Sequence, residues 1–125
     1  MKEKLISLGA ANAFLAVAAG AFGAHGLKDQ IPADRLAIWA TAANYHLIHA
    51  LALVLLGALI GKLPDNRLEW TGRLLLGGIV LFSGSLYALA VTGIKILGAI
   101  TPLGGICFLS AWALLTVSAW KRDSG

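Results

Sequence analysis

Charge is what this sequence has least of. Lys, Arg, Asp and Glu make up 13% of its 125 residues, against 58% apolar residues, where an average soluble domain is about a quarter charged. So few charges cannot solvate the surface of a small soluble domain. The mean hydropathy of +0.81 agrees. The length suffices for one domain, and that domain reads as membrane-embedded. Metal ligands are scarce too. Cys107 is alone and no carboxylate lies in any apolar run, so a zinc or di-iron site lacks donors. The alternating ten-residue segments of a membrane β-barrel are absent. No basic stripe interleaves with aromatics, so the net charge of +4 is no nucleic-acid footprint and no nucleic-acid partner is expected.

What is present is four charge-free runs: Leu5–Leu27, Leu36–Gly61, Leu74–Ile94 and Ile96–Trp120. Each exceeds the ~20 residues a helix needs to cross the hydrocarbon core. Only helices satisfy their backbone groups within such runs. The fold class is therefore an all-α membrane protein, a four-transmembrane-helix bundle over residues 1–125, with helices at about 5–25, 32–61, 67–94 and 101–121. Lys2 and Lys4 before the first run, with Ala19-Gly20-Ala21 within it, resemble a signal peptide. The run is long for one and Asn12 interrupts it, so it reads as the first span. Seven Lys or Arg residues fall on the side holding both termini and three (Lys28, Arg35 and Lys95) on the other. The positive-inside rule then puts both termini in the cytoplasm, in a cytoplasmic (inner) membrane.

Proline and tryptophan mark the limits. Pro32 suits the first turn of the second helix, and Asp34 complements its dipole. Pro64-Asp65-Asn66 reads as a turn. Asn66 with Glu69 resembles a capping box. Thr101-Pro102 looks like a cap and first-turn proline; the alternative is that Pro102 kinks a longer helix. Trp39, Trp70 and Trp120 fit interfacial anchors. Small residues recur at four-residue spacing: Ala16, Gly20 and Ala24; Gly57 and Gly61; Gly84 and Ala88. Such faces allow close helix approach, within the bundle or against a homo-oligomer or larger membrane complex.

Polar residues at bilayer depth are functional candidates. Here they are Asn12, Asn44, Tyr45, His46, His49, Ser83, Ser85, Tyr87 and Ser110. His46 and His49 are three apart and share one side of the second helix. His25 lies at the far end of the first helix, and His46 is ~12 Å deeper than its level, so the three histidines do not converge. Haem takes one or two axial histidines, but two on one helix cannot bracket an iron. No cofactor is expected. Counting depth along antiparallel helices sets Asn12 near His49, so Asn12 or a third-span serine is expected to hydrogen-bond His49. No Ser/His/Asp order, Cys/His pair or phosphate-cradling glycine motif is found, so no enzyme is expected. The leading expectation is a structural or accessory bundle. The alternatives are a channel, carrier or proton path through the midplane polar residues, and a lipid- or quinone-binding helper.

Several motifs combine. Gly20-Ala21-Phe22-Gly23-Ala24-His25-Gly26-Leu27 ends the first helix, and Thr41-Ala42 precedes Tyr45-His46 and His49-Ala50-Leu51-Ala52-Leu53. Phe82-Ser83-Gly84-Ser85-Leu86-Tyr87, Thr92-Gly93, Ile100-Thr101-Pro102-Leu103-Gly104-Gly105 and Trp112 follow. Over about residues 9–120 the chain resembles the small membrane-protein family known as domain of unknown function 423, which has animal mitochondrial relatives. The resemblance implies a four-helix integral membrane protein and no assigned activity. It singles out Gly23, His25, Thr101, Pro102, Gly104 and Gly105 beside Tyr45, His49 and the Phe82–Tyr87 stretch. Family members often carry Gln at His46 and a charge at Asn44, which counts against His46 as an essential ligand and weakens a two-histidine metal site. His25, between glycines, then reads as a surface residue in a tight turn.

Overall fold

The computed structural model describes residues 1–124, and the side chains of residues 1–121. Among the described residues, four helical segments are long and apolar enough to cross a membrane: Lys2–His25, Ala33–Ala58, Asp65–Thr92 and Lys95–Lys121. The first two are α1 (Lys2–His25) and α2 (Ala33–Ala58). The third span joins α3 (Asp65–Gly78), a π turn (Ile79–Gly84) and α4 (Ser85–Thr92). The fourth opens with a 3-10 segment, Lys95–Ala99, and continues as α5 (Thr101–Ser124).

Prolines set two starts. Pro32 and Pro64 hold extended backbone immediately before α2 and α3, where a missing N–H removes no helical bond. The expected capping box is not formed, because α3 begins at Asp65 without a side-chain cap. Glu69 instead pairs with Arg73 at 2.7 Å, one turn on. The second helix stops at Ala58 rather than Gly61. Gly61 takes φ +89° in the turn that follows, a conformation that excludes most side chains. Gly57 and Gly61 therefore do not share a helix face. Pro102 lies in the first turn of α5, after the 3-10 segment, so it starts that helix and kinks nothing.

The small-residue stripe of α1 is also not the expected one. Leu5, Gly9, Ala16 and Gly23 are its buried residues, while Gly20 and Ala24 are exposed. The observed stripe repeats every seven residues from Gly9, the spacing that keeps one seam against an antiparallel neighbour. At Gly9 a Cβ would stand 2.7 Å from the Val54 nitrogen and 2.8 Å from the Ala50 carbonyl oxygen. Only glycine lets α1 lie this close to α2. Gly84 is exposed as well, and the contact between the third and fourth spans runs through Gly78 against the Phe108 ring and Gly104 against the backbone of Phe82. Toward the end that holds both termini, Leu5, Leu53, Leu56, Leu68 and Leu75 close an apolar core. Polar side chains gather in the layer above it.

Candidate functional site: a polar layer midway along the spans

Three consecutive residues midway along α2 leave the helix in three directions, since each step rotates by about 100°. His46 turns inward and is 6% exposed. Its Nε2 is 2.9 Å from Asn12 Oδ1, and its Nδ1 is 3.0 Å from the Tyr87 hydroxyl. The Asn12 amide nitrogen donates to the Leu8 carbonyl at 2.8 Å, so the Asn12 oxygen is the acceptor toward His46. His46 therefore carries its proton on Nε2, and Tyr87 donates to Nδ1. The result is a directed hydrogen-bond chain from the third span through the second to the first. Trp39 closes its outer flank: its ring packs against Tyr87 at 4.6 Å and its N–H donates to the Ala19 carbonyl at 2.7 Å. Trp39 is thus an interhelical strut. Trp70 and Trp120 are exposed near the helix ends, as a membrane belt requires.

His49 has different partners. Its Nδ1 is 2.6 Å from the Tyr45 carbonyl and must donate to it. Its Nε2 accepts the indole N–H of Trp112 at 3.1 Å. This ring carries its proton on Nδ1, the opposite tautomer to His46. Phe108 lies flat on it, with ring centroids 3.5 Å apart, and the side chain is 4% exposed. The expected bond between Asn12 or a third-span serine and His49 is therefore not made. Asn12 bonds His46, and Ser83 donates to the Ala42 carbonyl at 2.9 Å. Three residues turn a helix by about 300°, so the two histidines point about 60° apart. That angle sends one toward the first and third spans and the other toward the fourth.

The π turn sets the third-span partners. Its wider winding inserts an extra residue, and such turns frequently mark functional sites. Within it Ser83 reaches α2, and Tyr87 about one turn later reaches His46. Ser85 faces the fourth span: Thr101 donates to Ser85 Oγ at 2.6 Å, and Ser85 donates to the Phe82 carbonyl at 3.0 Å. The Thr101 hydroxyl thus reaches across to the third span instead of capping its own helix. His25 is exposed at the end of α1, away from this layer. Pro102 is exposed, Gly23 lies under the Trp39 ring, and Gly104 is buried against Phe82. Gly105, its neighbour, has nothing within 4 Å of where a Cβ would stand.

Two residues beside His46 turn outward. Asn44 is exposed, and its side-chain amide makes no hydrogen bond among the described residues. It lies in a 290 Å³ groove between the first two spans, lined by small residues including Gly20, Ala24, Ala40 and Ala43. Tyr45 is 43% exposed, and its hydroxyl also has no partner among the described residues. It lines a second groove of 560 Å³ with His49, Phe82, Gly105, Phe108 and Trp112. Sequence reasoning gave Phe108 no role, and it took Trp112 only as a motif residue. The available signal was position: Trp112 stands midway along its span, far from any interfacial belt, one turn after Phe108.

A family model described as a protein of unknown function, DUF423, matches residues 19–105. The chain is 53% identical over 117 residues to the UPF0382 membrane protein YwdK of Bacillus subtilis strain 168, covering 93% of this chain and 95% of that one. It is 48% identical over 116 residues to the UPF0382 membrane protein SSP2132 of Staphylococcus saprophyticus, covering 93% and 96%. It is 47% identical to the UPF0382 membrane protein SAB0533 of Staphylococcus aureus, covering 93% and 94%. No solved structure matches the chain.

Proposed function

The chain belongs to the family described as protein of unknown function DUF423, and on that premise we propose that it is a non-catalytic structural or accessory subunit that associates with a second copy of itself through the Asn44 face. That it is a multi-pass membrane protein follows from its relatives and its four spans. The observation that carries the rest is the unpaired Asn44 carboxamide midway along α2. Acyl chains offer no hydrogen-bond partner, and a polar group left alone there costs several kcal/mol. Asparagine facing asparagine across two helices supplies both donor and acceptor. The small residues around Asn44 let a neighbouring backbone approach, as such association requires. Both termini are proposed to face the cytoplasm, supported by the seven-to-three division of Lys and Arg.

The inner polar layer supports a holding role over a conducting one. Both ring nitrogens of His46 and of His49 are engaged by protein groups, and aromatic rings pack His49 closely. A proton or ion path needs groups that are free to exchange partners. The test is oligomeric state in mild detergent and in nanodiscs, read by native mass spectrometry and cross-linking. The wild type is expected as a dimer or higher assembly, and Asn44→Leu as a folded monomer. A strictly solitary wild-type monomer sinks the reading.

A further inference from the structure

Tyr45 and its groove point to a ligand rather than a helix. The phenol stands midway along α2, so it lies roughly 15 Å from either edge of the hydrocarbon core. Its hydroxyl has no partner among the described residues. Phospholipid ester and headgroup oxygens sit at those edges, and acyl chains carry no acceptor. A molecule that satisfies this hydroxyl must therefore dissolve at the bilayer centre and carry an acceptor there. One part of the wall is flat, while Phe82 stands at 41° to Tyr45 and 53° to Phe108. The rings of Tyr45, His49 and Phe108 are nearly parallel, 10° between the first two and 18° between Tyr45 and Phe108. The groove volume of 560 Å³ lies within the usual range for small-molecule sites, about 300–1,000 Å³. Gly105 keeps it open. A glycine within a helix costs about 1 kcal/mol relative to alanine, yet nothing in the chain occupies the space a side chain would take there.

We propose that this groove binds the head of a membrane-dissolved quinone, a flat carbonyl-bearing ring on a hydrocarbon tail, with the Tyr45 hydroxyl donating to a ring carbonyl. Phe82, Phe108 and Trp112 pack on the ring, while His49 stays tied to Trp112 behind it and orients that indole. The tail leaves through the open side of the groove into the acyl chains. No electron transfer is part of the proposal.

The test titrates the full chain in mild detergent with decylubiquinone, and separately with decylbenzene, which has a similar shape and no carbonyl. Quinone binding is read from quenching of tryptophan fluorescence, with Trp112→Phe as the background, and decylbenzene, which does not quench, is read as a competitor that restores the fluorescence. The wild type is expected to bind the quinone at least fivefold more tightly than decylbenzene. Tyr45→Phe keeps the ring and is expected to remove that preference. Gly105→Phe fills the groove from a position with free space and is expected to abolish quinone binding while leaving the helical circular dichroism unchanged. Asn44→Leu is expected to bind the quinone as the wild type does, which separates this site from the self-association face. Equal binding of the two probes overturns the proposal and assigns the groove to acyl chains. Loss of the assembly in Gly105→Phe without any wild-type quinone binding also overturns it, and makes the groove a seam between copies.

Discussion

Asn44 and Tyr45 are neighbours in sequence, both exposed, and among the described residues neither the Asn44 carboxamide nor the Tyr45 hydroxyl has a hydrogen-bond partner, yet their surroundings differ. Glycines and alanines, with Leu36 and Trp39, flank Asn44 and line a groove of 290 Å³. Aromatic rings, with Ile48 and Leu109, flank Tyr45 and line a groove of 560 Å³. Between them in direction, His46 points into a layer where every polar atom of its ring is answered. The same helix at the same depth therefore offers a closed inner surface and two open outer ones. Polar groups that hold the fold find partners inside the chain. Polar groups that do not are the places to look for something outside it.

The sharpest way to break this contrast is at two adjacent glycines. Gly104 belongs to the closed side and Gly105 to the open one. A Cβ at Gly104 would strike the backbone of Phe82, which cannot move aside as a side chain would. Gly104→Ala is expected to lower stability by about 2–3 kcal/mol, in the range of overpacked cores. Gly105→Ala meets open space and is expected to raise stability by about 0.5 kcal/mol through helix propensity. Unfolding in mixed micelles measures both. Equal effects would erase the distinction between closed and open sides.

His46 is the next largest. Leucine there strands the Tyr87 hydroxyl and the Asn12 oxygen, two groups in an apolar layer. The expected loss is about 2 kcal/mol, because an unsatisfied buried group costs about 1–3 kcal/mol and partial rearrangement recovers some of it. Glutamine has one acceptor and one amide donor group and can answer both partners. His46→Gln is expected to stay within about 0.5 kcal/mol of the wild type. If leucine and glutamine are equally harmful, ring shape rather than hydrogen bonding governs the site. On the border of the open side, Trp112→Phe removes one interhelical bond to His49. It is expected to cost about 0.6 kcal/mol, the average for such bonds in membranes.

The architecture was legible because charge placement reads directly as solvent. The four charge-free runs became the four spans, and the helix starts beside Pro32, Pro64 and Pro102 lie where proline is tolerated. The site was legible in membership but not in pairing. Asn12, Tyr45, His46, His49, Ser83, Ser85 and Tyr87 all lie in or beside the polar layer. Depth counting placed Asn12 level with this part of α2, as the Gly9 contacts with Ala50 and Val54 support. Depth carries no azimuth, however, and a 60° difference in direction decided between His46 and His49. The π turn had no sequence signature beyond a polar Phe82-Ser83-Gly84-Ser85 stretch in an apolar run. The buried stripe of α1 was misread because Gly20 and Ala24 satisfy the same four-residue spacing without facing α2.

The last prediction reads where a proton sits and not a stability. The two histidines are held in opposite neutral tautomers by partners that leave no choice. Tyr45 offers His49 Nδ1 only a carbonyl, and Trp112 offers Nε2 only an N–H. Asn12 presents an oxygen to His46 Nε2 because its amide nitrogen is tied to Leu8. Nitrogen NMR of ¹⁵N-histidine-labelled protein is therefore expected to show His46 protonated at Nε2 and His49 at Nδ1. In Trp112→Phe only the His49 pattern should broaden toward a mixture, because its Nε2 has lost its donor while His46 keeps both partners. In Asn12→Leu only His46 should change. If one substitution disturbs both rings, the two histidines form a single coupled network, and the line between a closed scaffold and an open groove runs elsewhere.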